Sequence, residues 1–211
     1  MKILLMTLTF VFGVLNLAKG QTSTGKPSTP IWTEADREYL LDNLIRSVNE
    51  VKTETKNLTK EQWNFKESPD RWSINQIVEH IALWEILLMH EISAALDRAP
   101  NPSNTNYSPD SVFVDKYPNG LRSKKQDALN YTMPFSFAIP LGINEGKNNV
   151  LWLTTMRDES INYLKNEKRN IRLHYDCFDA NVHQIYIILF GHTDRHLYQI
   201  KKVKSHPGYP K

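Results

Sequence analysis

The sequence predicts an all-α fold of the four-helix-bundle type. Three observations point there. Four long segments repeat their apolar residues at helical spacing. Start signals precede three of them, at Thr33, at Ser73 and at Asp179 or Asn181. Little of the chain alternates as a half-buried strand would.

Two segments precede the first helix. Residues 1–20 read as a secretory signal: Lys2 is the basic region, Ile3 to Leu17 is an almost unbroken apolar run, and Ala18 and Gly20 are the small residues before a cut at Gln21. The run falls short of the ~20 apolar residues of a membrane helix, which disfavours a stable membrane anchor, and there is no Cys near the cut to carry a lipid. The expectation is an exported protein, periplasmic or extracellular. Residues 21–32, rich in Thr, Ser, Pro and Gly, read as a flexible leader. The helical domain is then 33–211.

The first helix is expected from Thr33, with Asp36 as its reciprocal cap, to near Asn57. Leu40, Leu41, Leu44, Ile45, Val48 and Val51 form its apolar face, and Asp42, Arg46 and Glu50 its wet face. Thr59 and Gln62 stand in capping-box register for a short turn. Ser73 and Gln76 form a second box that opens a helix to about Leu96, with Ile77, Ile81, Trp84 and Leu88 inward. Residues 99–146 hold six prolines and no long periodic stretch, with a short helix possible over 123–130. They read either as a functional lid or as a passive crossover between parallel helices. The third long helix covers about 147–166, with Val150, Leu153, Ile161 and Leu164 inward. The fourth runs to about Lys204, with Val182, Ile185, Leu189 and Val203 on one stripe.

Composition removes several function classes. The chain carries 26 Lys and Arg against 23 Asp and Glu, and loses two of the lysines with the signal segment, so nothing in its charge favours nucleic acid or an anionic membrane as partner. Cys177 is the single cysteine. An intramolecular disulfide and a Cys-based zinc site are therefore excluded, and burial of that thiol is expected. Lys201, Lys202 and Lys204 are explained by the favourable end of a helix dipole. The Trp residues read mainly as core.

The chemistry-bearing feature is His192-Thr193-Asp194-Arg195-His196. Histidines at i and i+4 sit one turn apart on one helix face, where both imidazoles reach one cation at about 2.0–2.1 Å. His192 follows Ile185 by seven residues and His196 follows Leu189 by seven, so both continue the buried stripe. His80, three after Ile77 and four before Trp84, faces inward on the second helix. Three neutral imidazoles from two packed helices make an open metal site. His90, His174, His183 and His206 fit that site poorly and read as surface or turn residues. Glu79, Glu85 and Asp194 are candidates for outer contacts or acid/base work, but Asp194, two residues from each His, should point away from the metal and reads rather as a solvated or inter-helix contact. No carboxylate or lysine reads as clearly inward.

Three segments carry a family resemblance. Trp72-Ser73-Ile74-Asn75-Gln76-Ile77-Val78-Glu79-His80-Ile81 resembles the tryptophan-to-histidine opening of the second helix in DinB-like (YfiT-like) metal-dependent hydrolases. His192 to Ile200 resembles their closing His-x-x-x-His segment, and Val203 to Pro210 is similar to the end of the bacillithiol S-transferase subgroup. The resemblance implies an up-down-down-up bundle with a long connection between its second and third helices. It also implies a divalent ion, zinc or nickel, on His80, His192 and His196, and often a homodimer. Members of this group include thiol S-transferases and thiol-dependent isomerases. The residues leave two readings open: a metal-dependent hydrolase or S-transferase acting on a small molecule, or a non-catalytic module that binds metal or a small ligand.

Overall fold

The computed structural model describes residues 29–104, 109–111, 138–177 and 179–211; the signal segment, most of the leader and the suggested 123–130 helix lie outside them. Among the described residues four long helices and one short one frame the fold: α1 Glu34–Thr55, α2 Lys60–Asn64, α3 Ile74–Leu96, α4 Gly146–Asn166 and α5 Val182–Ser205. A 3-10 turn, Ile171–Leu173, precedes α5.

Local chemistry sets where the helices start. Thr33 Oγ1 accepts from Asp36 N, and Asp36 Oδ2 accepts from Thr33 N at 2.8 Å. The same reciprocal box closes α2 through Thr59 and Gln62, α3 through Ser73 and Gln76, and α5 through Asn181 and Gln184. Each satisfies backbone N–H groups that a helix start otherwise leaves open, an effect of ~1 kcal/mol. Of the two cap candidates for α5, Asn181 does this work, while Asp179 takes a left-handed turn conformation at φ 64°.

α4 has no side-chain cap. Its start is held by packing and by an amide relay instead. Asn149 donates to Asn75 Oδ1 at 2.8 Å, Asn75 donates to the Asn144 carbonyl at 2.8 Å, and Asn144 donates back to Asn149 Oδ1 at 3.3 Å. Gly146 lies directly under the Trp63 ring, where any Cβ would overlap the indole. Gly146→Ala is therefore expected to destabilise the fold by about 1–3 kcal/mol through overpacking. Equilibrium urea unfolding reads this out as a lower midpoint at unchanged slope.

Helix directions follow from which ends touch. Arg37 at the start of α1 donates to the carbonyls of Leu164 and Glu167 at the end of α4, so these two run antiparallel. Lys204 at the end of α5 meets Glu54 at the end of α1, so that pair is parallel. Asn75 and Asn149 join the starts of α3 and α4, which are parallel too. The order along the chain is up, down, down, up, with α1 packed on α4 and α5, and α3 on the same two helices.

Parallel α3 and α4 require a connection that returns along the length of the bundle. Both ends of that connection are tied down. Asp110 accepts from Arg172 at 2.9 Å beside the start of α5, and Ala138 to Gly142 lies against the first turns of α3. The leader is tied at its last residues: the Pro30 carbonyl accepts from Asn170 at 2.8 Å, and Trp32 packs on the core with the Arg37 guanidinium 4.3 Å from its ring centre.

The described residues form two apolar clusters in the interior. One gathers Leu40, Leu44, Leu88, Ile92, Leu164, Ile185 and Leu189; the other gathers Val48, Val51, Ile77, Ile81, Leu153, Leu197 and Ile200. Between them in sequence register sit Ser47, Glu85, Arg157, Ser160 and Thr193, all buried and hydrogen-bonded to one another. Ile45, expected inward, is 40% exposed.

Candidate metal centre

α3 and α5 are antiparallel neighbours, which brings the early turns of α3 against the later turns of α5. His80 therefore faces His192 and His196. Their ring centres lie 5.2 Å and 4.7 Å from that of His80, and 4.4 Å from each other. Each ring offers a nitrogen, and these three nitrogens lie within 4.8 Å of one another, close enough to hold one metal ion. Nε2 of His196 is 3.0 Å from Nε2 of His192. Two nitrogens that share a cation at about 2.0–2.1 Å come about 3–3.4 Å apart, so little movement is needed to accept one.

Two of the imidazoles are oriented from behind. His80 Nδ1 lies 2.7 Å from the Ala138 carbonyl, and His196 Nδ1 lies 2.6 Å from Gln199 Oε1. A carbonyl oxygen only accepts, so the proton of each ring sits on Nδ1 and the Nε2 lone pair is free to ligate. Burial holds the rings neutral. It lowers the His80 pKa to about 4, against the Ala138 hydrogen bond and with help from the Arg195 charge. Burial also pushes His192 and His196 well below the ordinary histidine range, and the neighbouring imidazoles add to the effect. A neutral ring near pH 7 is the form that binds metal.

Two indoles wall the cluster. The Trp72 ring centre is 4.8 Å from that of His80 and 6.4 Å from that of His196, and the Trp84 ring centre is 5.2 Å from that of His192. Both rings also pack on the apolar clusters, as their reading as core predicts, and they line the site besides.

The remaining candidates separate cleanly. Asp194 points away and pairs with Arg46 through both carboxylate oxygens, at 3.0 and 2.8 Å, as its offset from the two His predicts. His90 is exposed, and His206 ends α5 with its ring 5.4 Å from that of Phe65. His174 and His183, read as surface or turn residues, are buried at 5% and 1% exposure. The reason is tertiary. The start of α5 is covered on every side, and His183 Nε2 meets Arg172 at 3.1 Å and Asp110 at 3.4 Å. His174 Nδ1 is held by the Arg98 carbonyl. Cys177, expected buried, is exposed because it lies in the loop ahead of α5.

The absence of an inward carboxylate is also corrected. Glu79 and Glu85 are 6% and 1% exposed. Glu85 is consumed by Arg157 and Ser160, and Glu79 Oε2 accepts from Gly142 N at 2.6 Å. Neither pairing has a local sequence signal, because each partner lies more than sixty residues away. Gln199 had one: it sits three residues after His196, within reach on a helix.

The profile of the DinB superfamily matches residues 43–200, which include all three histidines. The chain belongs to the DinB superfamily. No curated protein sequence matches this DinB chain at a significant level. Among solved structures, YfiT from Bacillus subtilis, described as a probable metal-dependent hydrolase with an unusual four-helix bundle topology, is similar over 88% of this chain and 95% of its own. The TM-score is 0.57 and the identity 12%, a likeness of fold.

Proposed function

We propose that this DinB-superfamily chain is a metal-dependent enzyme of the hydrolase or thiol S-transferase type, acting on a small molecule. The observation that carries the reading is the convergence of three neutral imidazoles, His80 and His196 buried and His192 partly so, with those two buried rings oriented through Nδ1 by an acceptor. An all-nitrogen donor set of this kind suits zinc or nickel. A divalent ion on three protein ligands keeps an open position, where it polarises a substrate oxygen or lowers the pKa of a bound water or thiol.

The chain's own residues supply binding and enclosure. His80, His192 and His196 hold the ion. Trp72 and Trp84 exclude water from the flank of the cluster and present an apolar wall to a substrate. The segment that follows the secretory-type leader would act outside the cytoplasm, and homodimerisation is part of the same proposal.

One observation favours a second reading, a metal- or ligand-binding module without turnover. Glu79 and Glu85 are both engaged, by Gly142 N and by Arg157, and are not poised as bases. Gentle purification followed by elemental analysis and a screen of thiol, ester and amide substrates separates the two. Stoichiometric metal with turnover that a chelator abolishes supports the enzyme. Stoichiometric metal with no turnover across the screen supports the binding module, and a protein that takes up neither zinc nor nickel excludes the enzyme and the metal-binding form of the module.

A further inference from the structure

We propose that Glu79 is a positioning residue for the His80 ligand, acting through the chain segment Ala138–Gly142 rather than through any contact with the ion. The proposal rests on the metal reading of the three histidines.

Glu79 and His80 are consecutive on α3, and each grips the same strap. His80 Nδ1 donates to the Ala138 carbonyl at 2.7 Å, and Gly142 N donates to Glu79 Oε2 at 2.6 Å. The two grip points are four residues apart on the strap. The carbonyl of Ala138 places the His80 proton on Nδ1 and so frees Nε2 for a cation. That service depends on the strap lying where it does.

Apolar packing contributes little to holding it. The strap alternates: Ala138 and Pro140 face inward and are small, while Ile139 and Leu141 face out at 44% and 70% exposure, as does Ile143 beyond it at 79%. Pro140 has no N–H to offer. The Glu79–Gly142 bond is thus the polar attachment nearest Ala138 on this side, with the Asn75–Asn144 bond two residues farther along the chain. Gly142 adopts φ +70°, and a Cβ there would stand 3.1 Å from Gln76 Cγ, so the close approach that brings its N–H to Glu79 uses the freedom of a glycine. A buried carboxylate one residue from a metal ligand therefore acts on that ligand by a backbone detour.

Three variants test this: Glu79→Ala, Glu79→Gln and Gly142→Ala. The first readout needs no metal. Nitrogen-15 NMR follows solvent exchange of the His80 Nδ1–H, which is slow while Ala138 holds it. The second is cobalt(II) affinity, measured by competition with a chelator, together with the visible spectrum of the bound ion. Glu79→Ala and Gly142→Ala are each expected to speed that exchange and to weaken cobalt binding about tenfold, the low end of the effect of partners that orient a ligand. The amide oxygen of Glu79→Gln can accept the same N–H, so this variant recovers most of both properties.

Unchanged exchange and affinity in Glu79→Ala overturn the proposal. So does a Glu79→Gln variant as impaired as Glu79→Ala, since the loss would then follow the charge and not the strap. Should Glu79→Ala fail to fold, as judged by circular dichroism, Gly142→Ala decides on the same two readouts. A wild-type protein that binds no cobalt defeats the metal reading. The exchange of His80 Nδ1–H then still shows whether Glu79 sets the strap, and wild-type exchange in the variants overturns that as well.

Discussion

Arg157→Ala is expected to cost about 3–5 kcal/mol, a large part of the ~5–15 kcal/mol that stabilises a typical domain. Arg157 is fully buried, and all five of its N–H groups are used. Nε and Nη2 donate to the two oxygens of Glu85 at 2.8 and 2.7 Å, Nη1 to the Leu44 carbonyl and Ser47 Oγ at 2.9 and 2.7 Å, and Nη2 also to Thr193 Oγ1 at 3.1 Å. One side chain thereby joins α1, α3, α4 and α5. The cost comes mainly from Glu85, whose carboxylate would be left buried with only Ser160 to donate to it.

That origin makes a second result predictable. Replacing both partners with apolar residues of similar volume, Arg157→Met with Glu85→Leu, removes the stranded charge. The double variant is expected to be clearly more stable than Arg157→Ala. Urea unfolding of wild type, single and double variants checks the order. A double variant no better than the single would mean that the hydrogen bonds to Leu44, Ser47 and Thr193 carry the effect instead.

His192→Ala is expected to lower zinc or nickel affinity by more than about 100-fold, beyond the upper end of what removal of a partner behind a ligand costs. It leaves two histidines, and two neutral nitrogens from different helices hold an ion weakly. Elemental analysis of wild type and variant, purified side by side, should show stoichiometric metal in the first and loss of it in the second. His90→Ala, on the exposed face of α3, is the matched control and should retain its metal. Equal metal in His192→Ala and wild type would mean that the ion sits elsewhere.

Much of the bundle was legible in the order of residues because its signals are local. The boxes at Thr33, Thr59 and Ser73 are each complete within four residues, and the structure forms all three. The long helices end close to where periodicity stops, and the azimuth of His80, His192 and His196 follows from counting along a helix from known apolar neighbours. The misreadings share the opposite property. His183 lies on the far side of α5 from His192, so a stripe argument makes it wet, yet Asp110 and Arg172 arrive from other parts of the chain and cover it. Glu85, a candidate for outer contacts at the metal, turns instead to Arg157, a partner that nothing in its neighbours marks until four helices close around the pair. Cys177 depends on the path of a loop, which apolar content does not reveal.

By itself the sequence determined the helices, their starts and the inward direction of three histidines, because hydrogen-bond geometry and the 3.6-residue repeat act over a few residues. Only the tertiary structure decided which ends meet. The antiparallel packing of α3 on α5 sets the ring distances at the histidine cluster, and the parallel packing of α3 on α4 forces the return of the connection whose Ala138 carbonyl orients His80. Those relations are fixed by contacts between residues far apart in the chain, and a polar group whose partner lies dozens of residues away carries no mark of that partner in its neighbours.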